Sequence, residues 1–68
     1  MNEELFNLEL RKFLKRFGVG AQREIEKAVQ QGIASGALSG SETIKVRARL
    51  EIEGMDSDLV VEEQLPLT

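Results

Sequence analysis

The sequence predicts a small α+β domain of order α-α-β-β, a helical hairpin packed on one face of a two-stranded antiparallel hairpin. Two changes of pattern carry that expectation. Apolar residues recur every three or four positions from Phe6 to Ile33, and from Ile44 onward they alternate with charged ones, the repeats of a helix and of a half-covered strand. A third observation limits the size. Sixty-eight residues make one domain, 1–68, and a chain this short buries only about 60% of the surface it exposes when unfolded.

The first helix is expected from Asn2 to Phe17. On a wheel of about 100° per residue, Phe6, Leu10, Phe13, Leu14 and Phe17 share an arc of about 100°, one buried stripe holding every aromatic residue of the chain. Asn2 suits the N-cap, and Glu3 and Glu4 suit the positive end of the helix dipole. Gly18 is read as the left-handed residue of a Schellman-type end, with Val19 turning back onto Leu14.

A second helix is expected from Ala21 to about Ser35, with Ala21, Ile25, Ala28, Val29, Gly32 and Ile33 on one face and Gly36 as its stop. The i,i+3 pairs Arg23/Glu26 and Glu24/Lys27 favour it by about 0.2–0.5 kcal/mol each. Its start is poorly capped, because Gly20 offers no side-chain acceptor. Gly32 costs about 1 kcal/mol relative to Ala, and is read as a point where another backbone comes close.

Past the turn-rich residues 37–41, Ile44, Val46, Ala48, Leu50 and Ile52 alternate with Lys45, Arg47, Arg49, Glu51 and Glu53. Gly54 to Ser57 suits a four-residue loop, and Asp58 to Leu67 returns as the second strand. Pairing Glu53 with Asp58 sets Arg49 against Glu62 and Arg47 against Gln64, with Leu59, Val61, Leu65 and Leu67 facing the core. That register turns Glu63 inward and Val60 outward, and Pro66 fits only a strand end or an edge. Two strands leave two open edges, so pairing of hairpins between two copies is expected.

Composition excludes most chemistry. The chain has no Cys, so neither disulfides nor thiolate metal sites supplement the core. With no His, Tyr or Trp either, the usual general base at neutral pH and the imidazole ligand are missing. No Ser sits in a nucleophile elbow. Gly18-Val19-Gly20 lacks the third glycine of a dinucleotide loop, and Glu53, Asp56 and Asp58 lack the length and terminal Glu of an EF-hand loop. The expectation is a protein that is not an enzyme, with no cofactor, no metal and no small-molecule substrate. An acidic start without a positive n-region, and no apolar run near 20 residues, point to the cytoplasm rather than to export or a membrane.

Charge is uneven. Residues 1–36 hold six Lys/Arg against five Glu, a balance of +1, while residues 37–68 hold three against seven, a balance of −4, which together make the net −3. The candidate partner surface is Leu8, Arg11, Lys12, Lys15 and Arg16, where Arg11/Lys15 and Lys12/Arg16 are like-charge i,i+4 pairs. The plain alternative is that these cations offset the dipole at the C-terminal end of the first helix. A second strip, Lys45, Arg47 and Arg49, is expected to be satisfied by Glu51, Glu62 and Glu63.

Two functions follow from these surfaces. One is a small non-catalytic protein-interaction module, binding a protein partner or self-associating through a strand edge. The other is a winged-helix-like nucleic-acid-binding protein, with Gln22, Arg23, Lys27 and Gln30 on the recognition helix. Against the second stand the acidic residues Glu51, Glu53, Asp56, Asp58, Glu62 and Glu63 around the wing tip, which would meet phosphate at a Coulomb penalty.

The stretches Phe6 to Lys15, Gly18-Val19 and Gln22 to Val29, with Gly36, Leu38, Gly40 and Glu42, resemble a family of short bacterial proteins of unknown function. The resemblance spans nearly the whole chain. Members carry Thr or Ser near the positions of Gly20 and Ala21, a better cap for a second helix than this sequence has. The resemblance implies a bacterial cytoplasmic origin and brings no catalytic residue, ligand or partner.

Overall fold

The computed structural model describes residues Met1–Thr68 and contains one helix, α1 (Glu3–Ser35), followed by two strands, β1 (Thr43–Glu51) and β2 (Asp58–Pro66). The class is α+β, and the helical hairpin of the sequence reading is absent. Residues 18–20 lie inside one continuous 33-residue helix. Gly18 is therefore no C-cap, and the second helix start at Ala21 does not exist.

Local energetics account for the continuity. Two interior glycines cost a helix about 1 kcal/mol each. A break would open several i→i−4 bonds and create a new N-terminus at Gly20, where no side chain stands ready to cap it. The apolar stripe also passes through the glycines without losing phase: from Phe6 as zero, Phe17 lies at about 20°, Ala21 at about 60° and Ile25 at about 100°.

Both ends of α1 carry the signals the sequence suggested. The Asn2 side chain accepts from the Leu5 N–H at 3.0 Å, and Glu3 and Glu4 occupy the first turn. Gly36, at φ 83°, closes the other end and donates its N–H to the Ile33 carbonyl at 3.2 Å. Of the three expected or available i,i+3 ion pairs, only Glu9–Lys12 forms, at 3.4 Å. Arg23/Glu26 and Glu24/Lys27 are not within 4.0 Å.

In the hairpin the strands pair antiparallel from Thr43↔Pro66 to Glu51↔Asp58. The register is two residues away from the sequence reading: Arg47 faces Glu62 rather than Gln64, and Arg49 faces Val60 rather than Glu62. A two-residue shift keeps every side chain on its face, so the facing row is still Ile44, Val46, Ala48 and Leu50 against Leu65, Glu63, Val61 and Leu59. The loop grows to residues 52–57, with a turn closed by Met55 N–H to Ile52 carbonyl at 3.1 Å and Gly54 at φ 77°. Positive φ at the third turn position is what Gly supplies there.

The chain forms two compact units, Met1–Ala37 and Leu38–Thr68. Neither unit encloses a core. No residue of α1 is buried, and the inward row of β1 is only half-buried while β2 is exposed throughout. No helix is long and apolar enough to cross a membrane.

Candidate functional site

Leu8, Arg11, Lys12, Lys15 and Arg16 all lie on α1 and all are exposed, Leu8 at 50%. On the wheel they span about 140° and centre about 180° from the Phe stripe, so the charged face and the apolar face are back to back. Lys12 alone has a partner, the Glu9 carboxylate at 3.4 Å. Arg11, Lys15 and Arg16 have no carboxylate within 4.0 Å.

The length of α1 changes what this cluster means. A cation is stabilised by the helix dipole only within the last turn. The last turn of α1 holds no basic residue, and residues 11–16 lie in its first half. Dipole compensation, the plain reading for a helix ending at Phe17, therefore does not account for four adjacent cations at this position.

The second strip behaves differently. Glu62 takes both Arg47, at 2.7 Å, and Lys45, at 3.1 Å, and Asp58 stands 4.0 Å from Arg49. Glu63, opposite Val46, is on the other face and plays no part, and neither does Glu51. The strip is a self-satisfied ladder with Glu62 as its centre.

One ordered polar cluster escaped the sequence reading. The Glu42 carboxylate accepts from the Ser39 N–H at 2.7 Å and the Gly40 N–H at 2.9 Å, and the Ser39 and Ser41 hydroxyls are 2.8 Å apart. The Ser39 amide first, then the amides of Glu42 itself and of Gly40, hold the Glu42 carboxyl at about 2, down from 4.5. The signal was present as Ser-x-x-Glu from Ser39 to Glu42, the acidic half of a capping box. That pattern ordinarily announces a helix, but here it closes the turn that enters β1, where the Glu42 carbonyl accepts from Leu67 N–H at 2.9 Å.

The concave surfaces are open and polar, one of them about 400 Å³ along Lys45, Glu62, Glu63 and Gln64. No three carboxylates are placed to share a metal ion. What the structure brings together is thus a charged helix face, an apolar helix face and a charge-laddered hairpin.

The model of a family of unknown function, DUF6494, matches residues 1–68, the entire chain. The chain belongs to that family. The match covers helix, turn and hairpin alike. Neither a curated protein nor a solved structure matches this member.

Proposed function

We propose that this protein is a small non-catalytic interaction module of the bacterial cytoplasm, and that it meets an acidic protein partner through Leu8, Arg11, Lys12, Lys15 and Arg16. One observation carries the reading: four cations crowd six residues in the first half of a continuous helix, where neither the dipole nor, for three of them, a carboxylate offsets their repulsion. Like charges at i,i+4 each cost a few tenths of a kcal/mol, about 0.2–0.5, and a bound acidic surface turns that cost into attraction. The open edges of β1 and β2 offer backbone pairing as a second mode of contact.

The absence of His, Cys, Tyr and Trp supports a role without catalysis, cofactor or small-molecule substrate. The winged-helix alternative rested on a turn between two helices, and α1 runs without a turn from Glu3 to Ser35. No observation favours that alternative.

The test is capture from nuclease-treated lysate by tagged wild-type protein and by the Lys12→Glu/Lys15→Glu variant. A protein partner retained by the wild type and lost by the variant, with both equally helical by circular dichroism, is the expected result. Equal capture by both proteins removes the basic face from the interaction.

A further inference from the structure

The apolar face of α1 has an order that the charged face lacks. Phe6, Phe17 and Ala28 are eleven residues apart in series, as are Leu10, Ala21 and Gly32, and Leu14 and Ile25. An eleven-residue repeat keeps a seam almost straight along a helix and gives paired helices a slight right-handed supercoil. The seam is unevenly filled. Phe6, Leu10, Phe13, Leu14 and Phe17 make its first half bulky, whereas Ala21, Ala28 and Gly32 make the second half more slender, with Ile25, and Val29 and Ile33 toward its edge, as the exceptions.

From Phe6 to Gly32 the seam runs about 40 Å along α1. Phe6, Phe13 and Phe17 are each more than half exposed, as is Leu14. With Phe side chains of about 200 Å², the whole seam offers on the order of 700 Å² per chain, close to the roughly 800 Å² per partner of a stable complex.

We propose that a second copy of this chain covers the seam, the two α1 helices crossing antiparallel about a two-fold axis near Gly18. Antiparallel pairing lays the bulky half of each seam on the slender half of the other, so that Phe6 stands level with the Ala28–Gly32 stretch and Phe17 with Gly20 and Ala21. Gly18 and Gly20 flank the seam at its midpoint on opposite sides, and a Cβ built on either meets nothing within 4 Å. Nothing within the chain calls for these two glycines, and a close crossing of two backbones does.

Charge on the flanks of the seam favours the same orientation: an antiparallel crossing near Gly18 brings Glu9 level with Lys27 of the second copy on the same flank. The basic face, back to back with the seam, stays exposed in this dimer. The dimer therefore goes beyond the partner-binding reading and stands or falls separately from it.

The chain lacks cysteine, so introduced thiols report unambiguously. Glu9→Cys and Lys27→Cys proteins are oxidised separately and as an equimolar mixture, with sedimentation of the wild type at 1–200 μM, on the order of typical working concentrations, in parallel. The expected result is a concentration-dependent dimer in sedimentation, with disulfide-linked heterodimer in the mixture at least fivefold above the homodimer in either single protein. Preferential linking of Glu9→Cys to itself overturns the antiparallel orientation. A dimer that forms but never links through these positions overturns the helix seam in favour of the strand edges, and a monomer throughout overturns the dimer. A further readout comes from Gly18→Ala with Gly20→Ala: more helix in the dilute monomer together with at least tenfold weaker dimerisation. Dimerisation unchanged by that pair rejects the close crossing. Partner capture by the Lys12→Glu/Lys15→Glu variant is scored separately, so failure of the dimer and failure of the basic face are told apart.

Discussion

Glu42 is where a single side chain organises the most backbone. Its carboxylate takes the Ser39 and Gly40 amides while its carbonyl takes Leu67 N–H, so one residue joins the turn to the open end of the hairpin. Because its folded pKa is depressed, its contribution is fully present above the ordinary value of 4.5 and is lost as the pH falls through about 2. A carbon-detected titration of the Glu42 carboxyl should have its midpoint near 2, and a midpoint near 4.5 would show that the amides do not hold the anion. Replacing Glu42 with Gln should remove the acid-dependent part of hairpin amide protection while leaving the helix untouched. At the other end of the chain, Asn2→Ala should cost the helix about 0.5–2 kcal/mol, read as a lower melting temperature. The cap was legible in the sequence because a single residue type before an acidic first turn specifies it. The Glu42 cluster was not, because Ser-x-x-Glu is written the same way before a helix and before this turn.

Each element has its own weak point. In α1 it is the pair Gly18 and Gly20, with open space around both positions. Substituting Ala at both should stabilise the dilute, monomeric helix by about 1 kcal/mol per site, visible as increased ellipticity at 222 nm. Unchanged helicity would mean that the helix does not in fact run through residues 18–20 in solution. In the hairpin the weak point is Glu62, which serves Lys45 and Arg47 together. These are exposed pairs, worth about 0.2–1 kcal/mol each at most. Glu62→Gln should therefore lower hairpin stability by about 1 kcal/mol or less and weaken its dependence on salt, leaving the Arg49–Asp58 pair in place. A loss several times larger would show Glu62 acting through something other than these two pairs. Strand identity and facing were legible from the alternation of Ile44 to Leu50, because period two is unambiguous over that length. Register was not, since shifting by two residues preserves every face and leaves only ion pairs and loop geometry to decide.

Considered whole, the molecule has more apolar surface than interior. Sixteen large apolar residues are exposed and none is buried, in a chain whose family model matches it from end to end. In the reading proposed above, the two faces of α1 divide the work between them: cations for a partner of opposite charge, and the seam for a second copy. If the seam pairs, folding and association are linked, and the melting temperature should rise with protein concentration. A melting temperature constant over a hundredfold dilution would disconnect stability from assembly. Reversing Lys12 and Lys15 moves the net charge from −3 by four, to −7, yet touches only Glu9 among the ion pairs of the chain. Its thermal unfolding should therefore stay within about 0.5 kcal/mol of wild type, as exposed surface substitutions generally do.

The sequence by itself determined the α+β class, both caps of the helix, the face of every strand residue and the poverty of catalytic groups. Each follows from short-range rules in which residue type and spacing leave one outcome. The tertiary structure alone decided that the helix does not turn at Gly18. Glycine there is compatible with a left-handed stop and with an interior position at a cost of about 1 kcal/mol, and which one prevails depends on bonds and caps summed over the residues on both sides. That decision also moved the basic cluster from the end of a helix to its first half, away from the dipole that would have explained it.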